Sequence, residues 1–205
     1  MLDREPADAD LVRAMGSGDL KAFEVFYRRF EAPIYRTALA MTRDIMTAEE
    51  VVTDTFVRAY AARARLDACR PPLPYLQRVA INLSLNVLRR RRLGLVPLDD
   101  PALGYRTDPA ASPEATAEQR ELARVLTHGI ACLPPRFRAV VTLRYVDGYD
   151  LAEIAGILGW PLGTVKSRLH HALRQLRGEL HSVLEREAVP DGAIAGRDAR
   201  AEGTP

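Results

Sequence analysis

The sequence predicts an all-α protein in which two small helical domains are joined by a flexible linker. Apolar residues recur every three or four positions along most of its 205 residues, and strand-like alternation is scarce. A proline-rich stretch with few aromatics, residues 93–117, divides the periodic pattern and predicts the linker. The first domain is therefore expected at 9–92, the second at 118–181, and a small, polar, disordered tail at 182–205.

In the first domain, Asp19 is a candidate N-cap for a long amphipathic helix. Thr47 and Glu50 have capping-box spacing, which predicts the start of a second helix at Thr47. Prolines 71, 72 and 74 predict a restrained loop before a third helix that ends in four arginines at 89–92. The apolar stripe of the first of these helices is Leu20, Phe23, Phe26, Tyr27, Phe30, Ile34, Ala38 and Met41.

The second domain is expected to contain four short helices, with Asp150 capping the third. Its last two helices enclose the segment "LGWPLG", in which Gly159 and Pro161 predict a turn. This is the helix-turn-helix pattern, with an apolar stripe on the final helix. That stripe consists of Val165, Leu169, Ala172, Leu173 and Leu176.

The charge distribution points to a polyanionic partner, although the formal net charge is only +2. Residues 63–92 carry eight basic and one acidic side chain, and residues 118–181 carry nine and six. Two basic blocks separated by an acidic connector are candidate nucleic-acid sites.

Other classes are disfavoured by composition and spacing. Cys69 and Cys132 form no CxxC pair and lie far apart in the sequence, so neither a metal site nor a cofactor is expected. No apolar run approaches a membrane span, and the polar start is unlike a signal peptide, so a cytoplasmic location is expected. The common phosphate-binding and hydrolase motifs are absent, which argues against an enzyme.

The helix-turn-helix predicts a contact with duplex DNA. The first turns of its second helix would enter the major groove, with basic and polar side chains reaching base edges and phosphates. An ordinary amphipathic hairpin with a solvated basic face is the alternative at this point. The candidate residues are Thr164, Lys166, Ser167, Arg168, His170, His171 and Arg174.

The helix at 75–92 predicts a second kind of contact. Its polar positions repeat at helical intervals, and Tyr75 adds an aromatic surface at its start. Stacking on aromatics, amide hydrogen bonds to base edges and arginines on the backbone suit single-stranded DNA. A solvent-exposed charged face remains the alternative. The candidates on this helix are Tyr75, Arg78, Asn82, Asn86, Arg89 and Arg90.

Several segments in this order resemble bacterial sigma factors of the extracytoplasmic-function (ECF) class across residues 9–181. They include "AEEVVTDTFVRAY", "PYLQRVAINLSLNVLRRRR" and "PLGTVKSRLHHALRQLR". The resemblance implies that the first domain docks on core RNA polymerase and opens the promoter element near minus ten. It implies that the second domain reads the element near minus thirty-five.

The resemblance also assigns residues. Docking on polymerase falls to Asp54, Thr55 and Arg58, and the loop 63–72, with Arg63, Arg65 and Arg70, matches the segment that pockets a flipped base. Asn82 falls on the position that helps to recognise that base. The sequence departs from the family at Tyr75, where tryptophan is usual, and at His170 and His171, where arginine or an aromatic is common.

The expected partners are core RNA polymerase, promoter DNA as duplex and melted strand, and an anti-sigma factor, with the protein itself a monomer. A linker of 25 residues can reach two elements about two helical turns apart only when extended, which implies that polymerase holds it stretched. The main rival is a conventional helix-turn-helix regulator that binds a palindrome as a dimer. That rival leaves Asn82 and the arginine run without a role.

Overall fold

The computed structural model describes residues 6–94 and 128–187, with side chains described as far as residue 179. Every regular element in these ranges is helical, which confirms the predicted fold class. Residues 128–132 are also helical. The other elements are α1 (Asp8–Gly16), α2 (Leu20–Thr42), α3 (Ile45–Ala61), a short 3-10 helix (Arg63–Arg65), α4 (Pro72–Arg92), α5 (Pro135–Val141), a π-helical segment (Thr142–Val146), α6 (Leu151–Leu158) and α7 (Leu162–Glu187).

In the first domain, α1 to α4 surround one apolar core. Asp19 caps α2 as predicted, because its carboxylate accepts hydrogen bonds from the backbone N–H groups of Lys21 and Ala22. The predicted stripe is buried or half-buried with one exception, since Leu20 is 66% exposed. The core consists mainly of Met15, Phe26, Phe30, Ile34, Val51, Phe56 and Leu76.

The predicted start of the second long helix is wrong by two residues. Helix α3 begins at Ile45, and its N-cap is Asp44, whose carboxylate accepts hydrogen bonds from the Thr47 N–H and the Thr47 hydroxyl. Thr47 is therefore the residue that contacts the cap and is itself buried. Residue spacing alone does not distinguish an N-cap at Asp44 from one at Thr47, because either side chain can place an oxygen acceptor beside the first free N–H groups of a helix.

Helix α4 begins at Pro72, where the missing N–H of proline costs no helical hydrogen bond. It ends at Arg92, the residue at which the first domain was expected to end. The linker predicted at 93–117 lies outside the described residues except for Leu93 and Gly94.

In the second domain, Asp150 caps α6 as predicted and forms a reciprocal capping box with Glu153. Gly159 ends that helix in the left-handed region with a φ of 66°, a conformation that glycine adopts without strain. The final helix is not short, since α7 continues to Glu187. The predicted start of the tail at residue 182 therefore lies too early, within this helix. Residues 188–205 lie outside the described residues.

The two domains pack against each other in what we call the closed arrangement. Met41 and Ile81 of the first domain are fully buried in a cluster with Leu143, Ile154 and other apolar side chains of the second. Burying side chains of this size stabilises a contact by about 1.5–3 kcal/mol each. No pattern in the sequence predicts this interface.

A buried arginine reinforces the closed arrangement. Arg138 is 6% exposed, and its guanidinium donates to the backbone carbonyl of Met41 across the interface at 2.6 Å. It also donates to the carbonyls of Ala131 and Leu133 in its own domain. Burial, with a smaller contribution from the charge of Arg43, lowers the pKa of Arg138 to about 10. Arg138 therefore stays charged at neutral pH and links the end of α2 to the second domain.

Candidate nucleic-acid interface

The second domain presents the predicted helix-turn-helix. Helices α6 and α7 meet at Gly159, and Val165, Ala172 and Leu176 of α7 are buried as the periodicity predicts. Thr164 is half-buried, and its backbone N–H already donates to the carbonyl of Pro161 at 2.9 Å. Five candidate side chains lie together on the exposed face of α7, namely Lys166, Ser167, His170, His171 and Arg174.

Arg168 occupies a different environment from these five. It is half-buried, and its guanidinium carbon stacks 4.0 Å from the centroid of the Trp160 ring. Its Nη1 atom is buried and has no hydrogen-bond partner among the described residues. Burial, with a smaller effect of Arg136, lowers the pKa of Arg168. The structure therefore places Arg168 against the turn of the motif and not in the exposed row.

The histidines form contacts within the helix surface. The ring of His171 stacks against Phe137, with centroids 6.2 Å apart, and its Nδ1 lies 3.2 Å from a guanidinium nitrogen of Arg174. Within residues 6–94 and 128–187, no three histidine, cysteine or acidic side chains are grouped to hold a metal. His170 remains exposed beside Lys166 and Ser167, one turn further along α7.

Helix α4 carries the second basic surface. Tyr75 is half-buried, and the other candidates, Arg78, Asn82, Asn86, Arg89 and Arg90, are exposed. The helix contains five arginines and no acidic residue, so its exposed face carries uncompensated positive charge. Arg91 is an exception, because its Nη2 lies 2.5 Å from the Thr47 hydroxyl and 3.5 Å from the Asp44 carboxylate. Arg91 thus ties α4 to the start of α3.

A groove of about 580 Å³ lies beside this surface. The loop residues Arg65 and Arg70, with Tyr75 and Arg78 of α4, line one side. Tyr149, Glu153, Gly156 and Ile157 of the second domain line the other side. Arg63 does not line the groove, since its guanidinium stacks 4.2 Å from the Tyr60 ring and donates to the Tyr60 carbonyl.

Helix α3 presents the predicted docking face. Asp54 and Arg58 are exposed on it. Thr55 is not part of this face, because it is fully buried and its hydroxyl donates to the carbonyl of Val51 at 2.6 Å. Val57, which the sequence analysis did not single out, is 60% exposed beside Asp54 and Arg58.

Comparison with known proteins gives the family. The family described as "Sigma-70 region 2" matches residues 26–93, and "Sigma-70, region 4" matches residues 123–176. The RNA polymerase sigma-E factor of Streptomyces avermitilis is 33% identical over 179 residues, which covers 84% of this chain and 96% of that protein. This chain belongs to the ECF sigma factors. It is an alternative sigma factor, which binds core RNA polymerase and directs it to promoters.

Other relatives agree with this assignment. The ECF RNA polymerase sigma factor SigW of Bacillus subtilis is 28% identical over 180 residues, covering 84% of this chain and 96% of that protein. Among solved structures, CnrH in complex with the cytosolic domain of CnrY is similar, with a TM-score of 0.62 and 25% identity over 86% of this chain and 99% of CnrH. The matches to both sigma regions favour the sigma factor over the conventional regulator.

Within the part of the chain that the structure describes, no helix is both long enough and apolar enough to cross a bilayer.

Proposed function

We propose that this ECF sigma factor divides its work among three helical surfaces: α3 docks on core RNA polymerase, α4 captures the melted minus-ten element, and α7 reads the minus-thirty-five element. One observation carries the proposal. The exposed side chains of α4 and α7 form two separate basic surfaces, and each has the chemistry of a different DNA form. A regulator that reads only duplex DNA has no use for the α4 surface.

The α4 surface supports recognition of a single strand. Tyr75 offers a ring for stacking, and the exposed amide of Asn82 can both donate to and accept from a base edge. The exposed arginines suit the phosphate backbone. Extruding a base costs a few kcal/mol of lost stacking, and the groove beside Tyr75 and Arg78 is a place where contacts offset that cost. Opening then proceeds by binding, with no catalytic turnover by the sigma factor itself.

The α7 surface supports recognition of duplex DNA. Lys166, Ser167 and His170 lie on the exposed side of its first turns, where a recognition helix meets base edges in the major groove. His171 and Arg174 lie farther along the helix and suit phosphate contacts. The stacking of Arg168 on Trp160 supports a role in holding the turn of the motif.

Replacing Lys166 with alanine is expected to weaken binding of the holoenzyme to promoter duplex and to reduce the slope of log affinity against log salt by about 1. The sequence has only one other lysine, Lys21, which is exposed on α2 and provides a control with the same loss of charge. Fluorescence anisotropy over a salt series measures both slopes. Equal slopes for K166A and the unmodified protein would contradict a DNA contact at Lys166.

Replacing Val57 with aspartate is expected to weaken binding to core RNA polymerase at least about tenfold, because it places a charge at the centre of the proposed docking face. The fold should tolerate the change, since Val57 is exposed. The control is Val25→Asp, the same change at another exposed valine, on α2. A titration of core polymerase with each labelled variant gives the affinities, and unaltered binding by V57D would rule out α3 as the docking surface.

The proposed cellular setting follows from the family. We infer a cytoplasmic monomer that is held by an anti-sigma factor until it is needed. CnrH, one of the similar structures, is bound to the cytosolic domain of CnrY, and a second, the sigma factor RpoE of Bartonella quintana, is bound to the anti-sigma factor NepR. The RpoE chain is 20% identical with a TM-score of 0.63 and so supports the fold alone.

A further inference from the structure

A small polar cluster lies in the interface between the two domains. The hydroxyl oxygen of Thr37, on α2, lies 3.2 Å from each carboxylate oxygen of Asp147, which follows the π-helical segment of the second domain. The same hydroxyl lies 3.1 Å from the carbonyl oxygen of Pro33. Thr37 is fully buried, as is its neighbour Gln77 on α4. Asp147 therefore makes a second polar contact between the domains, in addition to the bond from Arg138 to Met41.

The Thr37 hydroxyl faces more acceptor atoms than it has protons to donate. A hydroxyl has one proton to donate, so an ionised Asp147 and the Pro33 carbonyl compete for the proton of Thr37. The buried Oε1 atom of Gln77 also lacks a hydrogen-bond partner among the described residues. One added proton on Asp147 removes the competition, because the carboxyl group can then donate to Thr37 while Thr37 donates to Pro33.

The surroundings of Asp147 favour that protonated form. The groups that act on the carboxylate are Thr37 and the cation Arg36 from α2 and Gln77 from α4, and Tyr149 of its own segment lies nearby. Burial raises the pKa of Asp147 to about 6 from an ordinary value of 3.8, against the opposing effects of the Thr37 hydrogen bond, Arg36 and Gln77. When the domains separate, the pKa returns toward its ordinary value. Closing therefore takes up a proton, and opening is favoured as pH rises.

The closed arrangement also conflicts with promoter binding. A Cβ atom added at Gly159, in the turn before α7, would lie 3.3 Å from a guanidinium nitrogen of Arg78 on α4. The turn of the helix-turn-helix thus lies against α4, and α6 forms the far wall of the groove beside Tyr75. Promoter elements two helical turns apart are separated by roughly 70 Å. The domains must part before both elements can be read.

We propose that Asp147 is a proton-linked latch, which holds the two promoter-reading domains together in a resting state when protonated and weakens that contact when ionised. The effect of the latch on promoter reading rests on the proposed roles of α4 and α7. The pH-dependent contact between the domains does not. It makes the free protein open more readily near neutral pH than in mildly acidic solution. Core polymerase then captures the open form.

The test uses the full chain and its two native cysteines. Cys69 lies in the first domain and Cys132 in the second, and both are exposed, so a donor and an acceptor dye can report the distance between the domains. Energy transfer is measured for the free protein between about pH 5 and 7.5. The ratio of open to closed protein should rise about tenfold over this range, as the two pKa values require.

Two substitutions decide whether Asp147 is responsible. D147N carries a neutral amide with N–H donors in place of the carboxyl, so it should stay closed with less than about a twofold change over the same pH range. T37V removes the hydroxyl that joins the domains, so it should be more open than the unmodified protein at every pH. The control D10N removes an exposed carboxylate on α1 and should follow the unmodified protein. Circular dichroism verifies that each variant keeps its helices.

The outcomes separate the latch from the proposed function. A D147N protein that opens with pH as the unmodified protein does, or a T37V protein that is no more open, would overturn the latch. Neither result depends on polymerase or DNA. Failure of the proposed reading and docking roles would instead appear in the Lys166 and Val57 experiments, respectively, while the pH response of the dyes stays intact.

Discussion

Replacing Arg138 with alanine is expected to lower the free energy of unfolding by about 2–4 kcal/mol and to separate the two domains. The change leaves the carbonyls of Met41, Ala131 and Leu133 without the guanidinium that satisfies them in the closed arrangement. A buried acceptor that loses its donor costs about 1–3 kcal/mol, and relief of the buried charge offsets part of the loss. Urea unfolding followed by circular dichroism measures the free energy.

Two variants make the Arg138 result specific. Arg136→Ala removes an exposed guanidinium from the same helix, α5, and should change stability by less than about 0.5 kcal/mol. Arg138→Lys keeps the charge but loses the planar fork that reaches several carbonyls, so it should recover only part of the loss. An R138A protein with the urea midpoint of the unmodified protein would show that the Met41 contact does not hold the domains together.

Replacing Asn82 with alanine is expected to reduce promoter opening by about 10- to 100-fold while leaving the affinity for core polymerase unchanged. The Asn82 side chain is exposed on α4, so its loss should not disturb the core. A bidentate amide contact with a base contributes about 1–3 kcal/mol of discrimination. Permanganate reactivity of thymines at the minus-ten element measures opening, and polymerase titration measures docking.

N82A and K166A are expected to affect different steps of initiation, so both variants are tested for promoter binding and for promoter opening. If the two surfaces act at different steps, N82A should form closed promoter complexes normally and fail to open them, whereas K166A should form fewer complexes but open those that form. Alanine at Lys21, remote from both surfaces, should affect neither step. Equal losses at binding and opening for N82A and K166A would contradict the division of roles.

Local signals predicted the helices well because they depend on neighbours in the sequence. The caps at Asp19 and Asp150 and the turn at Gly159 are formed by residues at most five positions apart. The closed arrangement was not predictable in this way. Its contacts join residues about a hundred positions apart, such as Arg138 with Met41 and Thr37 with Asp147, and no periodicity within one helix specifies them.

In the candidate site too, some features follow from local sequence and others depend on tertiary contacts. Helical periodicity correctly placed Asn82, Asn86 and Lys166 on exposed faces, because a period of 3.6 residues fixes which positions lie opposite the apolar stripe. It did not identify Thr55 as buried or Arg168 as stacked on Trp160. Threonine and arginine occur at both exposed and buried positions, so their place depends on the tertiary neighbours.

This chain is expected to supply promoter specificity to RNA polymerase through two reading surfaces. The most direct measurement is run-off transcription from a genomic promoter library with core polymerase and the purified protein. New and defined start sites, each preceded by shared elements near minus ten and minus thirty-five, are the predicted result. No start sites, together with tight binding of a palindromic duplex by the protein alone, would contradict the account.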